Sequence, residues 1–94
     1  VYTVPTNTYT VFNVSFTNTS TTTAATIRLY IGASTAGSPV PSEAIEYGTT
    51  IAPGGVFERT GLVLSSTTSA NKVIAYSSTA TVNVNVYGIE TSTT

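Results

Sequence analysis

The chain has 94 residues, of which 7% are charged, and three basic and four acidic side chains leave a net charge of −1. A chain of this length forms a single domain with one core. Three cations are too few for the phosphate contacts of a nucleic-acid-binding protein, and no apolar run reaches the roughly 18 residues of a membrane-spanning helix. The sequence therefore predicts neither nucleic acid nor membrane as a partner.

The chain begins with alternating apolar and polar residues. Tyr2 to Val4 reads as a short strand that ends at Pro5, because proline lacks the amide hydrogen that a sheet requires. We expect residues 1–5 to form an N-terminal arm that adds a strand to a neighbour. From Thr8 to Thr17 the period of two predicts a strand whose phenylalanine face points to the core.

Polar loops and short strands follow. The run from Asn18 to Thr23 predicts an exposed loop, and Thr26 to Ile31 predicts a strand that buries its isoleucines and leucine. Gly32 to Ser42 holds two glycines and two prolines and is the longest predicted connection. Glu43 to Tyr47 reads as a short strand that Gly48 ends.

The second half of the chain also consists of predicted strands separated by turns and loops. Pro53-Gly54-Gly55 is a strong turn signal, because proline presets its φ angle and glycine adopts positive φ. Val56 to Leu64 predicts a strand in which Gly61 marks a bulge or bend. Ser65 to Asn71 predicts a polar loop, and Lys72 to Tyr76 predicts another strand.

The last predicted strand, Thr81 to Glu90, has the most regular pattern in the chain. Its alternation places Val82, Val84 and Val86 on one face, and we expect them to be buried in a central strand. Thr91 to Thr94 reads as a frayed tail.

The pattern as a whole predicts an all-β fold. It contains about seven or eight short strands at intervals of 8–12 residues and no helical periodicity, which is typical of a sandwich or barrel. We predict one antiparallel β-sandwich domain over residues 1–94, with a jelly roll as one candidate topology.

The sequence offers little catalytic chemistry. It contains no His, Cys or Asp, which excludes serine and cysteine triads, histidine–thiolate zinc sites and Asp-led calcium loops. A carboxylate pair drawn from Glu43, Glu46 and Glu58 could serve in glycoside cleavage, but the first two face opposite sides of a predicted strand. We therefore expect no enzyme activity, no cofactor and no metal, and interpret these groups as solvated surface carboxylates.

The composition favours binding to other proteins. Thr and Ser make up about a third of the chain, so its surface is polar without strong like-charge repulsion. Tyrosine is common at interfaces because its ring is apolar and its hydroxyl tolerates water. Arg59 has two candidate partners, Glu46 on a neighbouring strand or a carboxylate of another subunit. The predicted partner-binding residues are Tyr2, Val4, Tyr30, Arg59 and Tyr87.

Several predicted strand and turn segments resemble small structural proteins of tailed bacteriophages. The resemblance extends from about Ile27 to Glu90, through Ala44-Ile45-Glu46-Tyr47, Ile51 to Leu64, Asn71 to Tyr76 and Val82 to Glu90. It implies a β-sandwich added in many copies to a virion assembled in the host cytoplasm. It brings no catalytic or binding motif that matches individual residues here.

The resemblance implies a capsid cement, or decoration, protein as the first expectation for function. Such proteins sit on the capsid exterior, commonly as homotrimers, and bind between subunits of the major capsid protein. The alternative is a tail, neck or fibre-associated module, which could recognise a host glycan through tyrosines.

Overall fold

The computed structural model describes residues 1–33, 38–66 and 71–92. These residues form two antiparallel sheets, one of four strands in the order β1-β6-β3-β4 and one of three in the order β5-β2-β7. The strands are β1 (Tyr2–Thr3), β2 (Thr8–Asn18), β3 (Ala25–Gly32), β4 (Ala44–Ile51), β5 (Val56–Ser66), β6 (Lys72–Ser77) and β7 (Val82–Ser92), with a 3-10 turn at Pro41–Glu43 before β4. The predicted antiparallel β-sandwich is confirmed. Its described residues supply seven strands, one fewer than a jelly roll has.

The core lies between β2 and β3, the inner strands of the two sheets. Phe12 and Phe16 of β2 and Ile27 and Leu29 of β3 are fully buried, which confirms the predicted phenylalanine face and most of the predicted apolar row of β3. Ile31, the third residue of that row, is only partly buried. Burying a large apolar side chain is worth about 1.5–3 kcal/mol, so this double row supplies much of the stability of so small a domain. β2 pairs along its length with β5 on one side and β7 on the other.

The prediction for the last strand was wrong in its main point. β7 is an edge strand, paired with β2 and with no other strand among the described residues. Val82 packs against the core, but Val84 and Val86 are 38% and 40% exposed. Their alternation does place them on the inner face, where Val84 pairs with Phe16 and Val86 with Val14, but the facing sheet does not cover them.

Strands β4 and β5 each contain a β-bulge at a glycine, which changes the face of the sheet on which the following side chains lie. Opposite β2, the register of β5 shifts by one residue beside Gly61, whose φ is +69° and whose amide donates to Asn13 Oδ1 at 3.0 Å. The predicted bulge at Gly61 is confirmed, and it brings Arg59 and Leu62 to the same face. Gly48 was predicted to end a strand; instead it forms a bulge within β4 with φ +89°.

Asn18 is the polar hub of one end of the sandwich. It was predicted to open an exposed loop, but it ends β2 and is fully buried. Its amide group donates to the carbonyls of Thr23 at 2.9 Å and Ile51 at 3.2 Å, and its Oδ1 accepts from the Ser20 amide and the Thr81 hydroxyl, both at 3.1 Å. One side chain therefore joins β2, β4, the loop between β2 and β3 and the loop between β6 and β7.

The predicted arm is folded against its own domain. β1 pairs with β6, the Val4 amide donates to Asn71 O at 2.9 Å, and Val4 is fully buried.

The predicted turn at residues 53–55 is confirmed by the Gly55 to Ala52 hydrogen bond of 2.8 Å. Thr91 and Ser92, predicted as part of a frayed tail, are in β7, whereas residues 93–94 of that tail lie outside the described residues. The same holds for residues 34–37 and 67–70 of two predicted loops.

Candidate functional site

A large concavity lies where the two sheets separate beside β7. We call it the open flank. It has a volume of about 810 Å³, and its apolar walls are Phe12, Val73, Ala75, Val84 and Val86. In a regular sandwich these inward side chains would meet a facing strand, whereas here they line a gap open to solvent. The open flank is therefore apolar surface beside an unpaired strand edge.

Tyr2 and Glu90 close one end of the open flank. The Tyr2 hydroxyl donates to a Glu90 carboxylate oxygen and lies 2.9 Å from Thr10 Oγ1. Burial, and after it the hydrogen bond with Glu90, raises the pKa of the Tyr2 phenol above its usual value. This contact joins β1 of one sheet to β7 of the other, so the two sheets are held together at that end and apart farther along.

The opposite flank is closed by an ion pair. Arg59 of β5 binds the carboxylate of Glu46 on β4, and Thr49 Oγ1 donates to the same carboxylate at 2.7 Å. Of the two partners considered for Arg59, Glu46 is the one the structure provides, although the pair crosses between sheets. Arg59 is partly exposed, so the pair is solvent-screened and serves chiefly to fix the position of the flank.

An apolar row crosses the outer face of the three-stranded sheet. Val11 of β2 pairs with Val63 of β5 on one side and Ile89 of β7 on the other. All three are exposed, Ile89 by 72%, and Tyr87 lies beside them on the same face. The row is a second apolar surface, separate from the open flank.

The outer face of the four-stranded sheet carries a cation between two aromatic rings. Arg28 of β3 pairs in register with Tyr47 of β4 and Tyr76 of β6. Its guanidinium carbon lies 4.3 Å from the centre of the Tyr47 ring and 5.0 Å from that of Tyr76, which are cation–π distances. A hydrogen bond to Tyr30 raises the pKa of Arg28 further above its usual range.

A cavity of about 310 Å³ adjoins this cation, and we call it the Arg28 pocket. Its floor is formed by side chains that are almost fully buried, and its rim by residues that precede the 3-10 turn. Its lining includes Arg28, Tyr30, Ser38, Pro39, Ile74 and Tyr76.

The predicted partner-binding residues do not form one surface. Tyr87 is exposed on the outer face, and Tyr2 is half-buried at the end of the open flank. Val4 is buried, and Tyr30, although on the face opposite the core row as predicted, is only 3% exposed beneath its neighbours. Val4 and Tyr30 therefore present almost no surface to a partner in this conformation, and Arg59 is engaged by Glu46.

The carboxylates are dispersed. Glu46 is paired with Arg59, Glu90 with Tyr2, and Glu58 projects from the outer face of the three-stranded sheet, where it is exposed. Glu43 lies in the 3-10 turn with its carboxylate directly over Gly32. The three carboxylates considered for acid–base work thus lie on different parts of the fold. Across residues 1–33, 38–66 and 71–92, no group of three acidic, His or Cys side chains could hold a metal ion.

Comparisons with models of protein families, with curated proteins and with solved structures find no match for this chain. Among the described residues there is also no helix with the length and apolarity needed to cross a membrane.

Sequence reasoning missed the most distinctive features of these surfaces. Arg28 received no role, because its tyrosine neighbours are 19 and 48 residues away along the chain and meet it only through the strand register. The missed signal was the low charge of the last strand, which holds one charged residue in eleven. Natural edge strands usually carry inward charges or prolines, whereas β7 has a single inward charge, Glu90 near one end, so the rest of this long edge indicates a binding surface.

Replacing Val4 tests whether the N-terminal segment belongs to its own domain. We expect Val4→Ala to lower the free energy of unfolding by about 1–3 kcal/mol, because it removes fully buried methyl groups. Urea denaturation of the purified protein measures the change, with Thr3→Ala on the exposed side of β1 as the control. Equal stability of the two variants would show that residues 1–5 leave this position in solution, as an arm that serves a neighbour must.

Proposed function

We propose that this chain is a virion structural protein of a tailed bacteriophage, a capsid cement protein that binds between major capsid subunits on the capsid exterior. In this proposal it assembles in the host cytoplasm, acts as a homotrimer and works through adhesion, without catalysis. The observation that carries the proposal is the open flank, where an eleven-residue strand edge lies beside exposed inward-facing valines.

Strand addition is the binding mode that fits such an edge. Every second residue of an edge strand directs its amide and carbonyl away from the sheet, so a neighbour's extended segment can continue the ladder along β7. Each hydrogen bond contributes about 0.5–1.5 kcal/mol, and covering Val84 and Val86 adds apolar burial. No specialised side chain is required, in keeping with a sequence that has few charges and no His, Cys or Asp.

The same edge supports a closed homotrimer. If β7 of one subunit receives a segment from the next, the contact is head-to-tail, and a rotation of 120° closes it into a ring. The net charge of −1 opposes such close packing only weakly.

The alternative is a tail, neck or fibre-associated module that recognises the host. The Arg28 pocket favours it, because a cation held by tyrosines beside a concave site can bind a small polar ligand. The outer face of the four-stranded sheet is also distinct from the open flank, so both surfaces can be occupied together.

Labelling the protein on intact particles tests the proposal. Immunogold or a fused fluorescent tag is expected to mark the whole shell if the protein is a cement protein, with a copy number that is a fixed ratio to the major capsid protein. Signal at one pole would favour the tail-associated alternative. A protein that is missing from every purified particle would overturn both.

A further inference from the structure

We propose that the Arg28 pocket binds an acidic saccharide, with Arg28 holding the carboxylate of one uronic or sialic acid ring. This site lies on the outer face of the four-stranded sheet, away from the open flank, so the inference does not rest on the proposed assembly role.

Arg28 is a preorganised cation. Its guanidinium is held 4.3 Å and 5.0 Å from the ring centres of Tyr47 and Tyr76, the residues that flank it in register on β4 and β6. Tyr47 is itself braced by Tyr30, with ring centres 6.4 Å apart and planes at 89°. A side chain fixed in this way loses little conformational entropy when it binds an anion.

The described residues supply no counter-ion to this cation. No carboxylate among the described residues forms an ion pair with Arg28, and its Nε is buried without a hydrogen-bond partner. The carboxylate of Glu43, on the same face, lies over Gly32, whose Cα is about 13 Å from that of Arg28 at the rise of a strand. A guanidinium can donate two parallel hydrogen bonds to a carboxylate.

The size and lining of the pocket favour a single sugar ring. Its volume of about 310 Å³ is at the lower end of ligand pockets. Tyr30 and Ile74 form a floor that is almost fully buried, and Pro39 with Tyr76 provides apolar contact for the C–H face of a ring. The Ser38 hydroxyl lies at the rim, where ring hydroxyls can reach it.

A peptide carboxylate fits this site less well. The pocket sits over β3 and β6, and the backbone groups between these two strands are used in their ladder, while the other side of β6 is paired with β1 only at Lys72 and Val73. A peptide main chain could extend the ladder only along the outer edge of β6, beside the pocket and not within it, whereas a saccharide binds in the pocket through side chains and ring contacts alone.

Titrations followed by amide chemical shifts test the site. The probes are glucuronic acid and N-acetylneuraminic acid, with glucose as the ring that lacks a carboxylate and acetate as the carboxylate that lacks a ring. We expect at least one acid to give saturable shifts confined to β3 and β6 around the pocket. Glucose and acetate are expected to bind at least about 10-fold more weakly, the ratio that one charge-assisted hydrogen-bond pair supplies.

Variants separate the site from general charge effects. Arg28→Gln is expected to weaken binding of the acid at least about 10-fold, while Lys72→Gln, which removes the same charge at the far end of β6, leaves it within about twofold. Ser38→Trp blocks the exposed rim without altering a strand and is expected to abolish binding with an unchanged spectrum elsewhere.

Four results would overturn the proposal. These are no saturable shift with either acid up to about 20 mM, equal binding of glucose, unchanged binding by a folded Arg28→Gln or Ser38→Trp variant, and tighter binding of an acetylated dipeptide with a free carboxylate. The last would identify the site as a peptide carboxylate site.

Discussion

Asn18→Ala is expected to be among the most destabilising single substitutions in this protein, at about 2–4 kcal/mol. Asn18 has 0% exposed surface, and its amide group connects the end of β2 with Thr23, with Ile51 at the end of β4 and with Thr81 before β7. Alanine leaves the buried Ile51 carbonyl without this partner and removes the part-buried hydrogen bonds to Thr23 and Thr81, and an unsatisfied buried group costs about 1–3 kcal/mol. The methyl group of alanine also leaves part of the site empty.

Urea denaturation followed by circular dichroism measures this loss, with Asn83→Ala as the matched control. Asn83 is the same residue type on an exposed outward face of β7, and its replacement is expected to change stability by less than about 0.5 kcal/mol. Similar losses in the two variants would show that the network around Asn18 is not maintained in solution.

The inner rows of the sandwich could be predicted from the sequence because they depend on local alternation. In β2, Phe12 and Phe16 share a parity, and the large apolar side chains of that row leave one choice of inward face. The same row continues to Asn18, so its parity was the signal that it points inward. The polar residues that follow it hid that signal, because they favour a loop.

The exposure of β7 could not be predicted in this way. Alternation of apolar and polar residues predicts only that the two faces of a strand differ, and Val84 and Val86 do lie on the inner face. Whether a facing sheet covers them depends on strand order and sheet separation, which are set by pairings between residues far apart in the chain. Gly48 is a similar case, since positive φ serves both a strand end and a bulge within a strand.

The Arg28 pocket depends on register in two sheet pairings at once. Tyr47 reaches Arg28 only because β4 gains one residue at the Gly48 bulge, where the register shifts between Ile27 and Arg28. Tyr76 reaches it through a separate pairing with β6. No local pattern in the sequence encodes either alignment, so a site built from three strands appears only once the sheet is assembled.

Val86→Lys is expected to weaken binding at the open flank strongly while leaving the fold intact. Val86 is 40% exposed on the inner face of β7, so the stem of a lysine can lie along the flank with its ammonium group in water. A neighbour's strand added along β7 would cover that ammonium group. Truncated or mismatched buried charges cost about 2–5 kcal/mol at interfaces, which corresponds to roughly 30-fold or more in affinity.

Ile89→Lys is the control that makes this prediction specific. It adds the same charge to the same strand, but on the outer face, where Ile89 belongs to the apolar row. Occupancy on particles, measured as the ratio of added protein to major capsid protein, is expected to fall at least about 10-fold for Val86→Lys and to stay within about twofold for Ile89→Lys. Sedimentation velocity gives the matching result for self-association.

The pattern across the two variants decides which surface carries adhesion. Loss with Ile89→Lys alone would assign binding to the apolar row, since that side chain is 72% exposed and lies beside Val11 and Tyr87. Loss with both would mean that added positive charge, wherever it lies on β7, opposes the contact. Full binding by Val86→Lys would rule out strand addition at β7, because a continuous ladder along that edge must bury the inner face that Val84 and Val86 share.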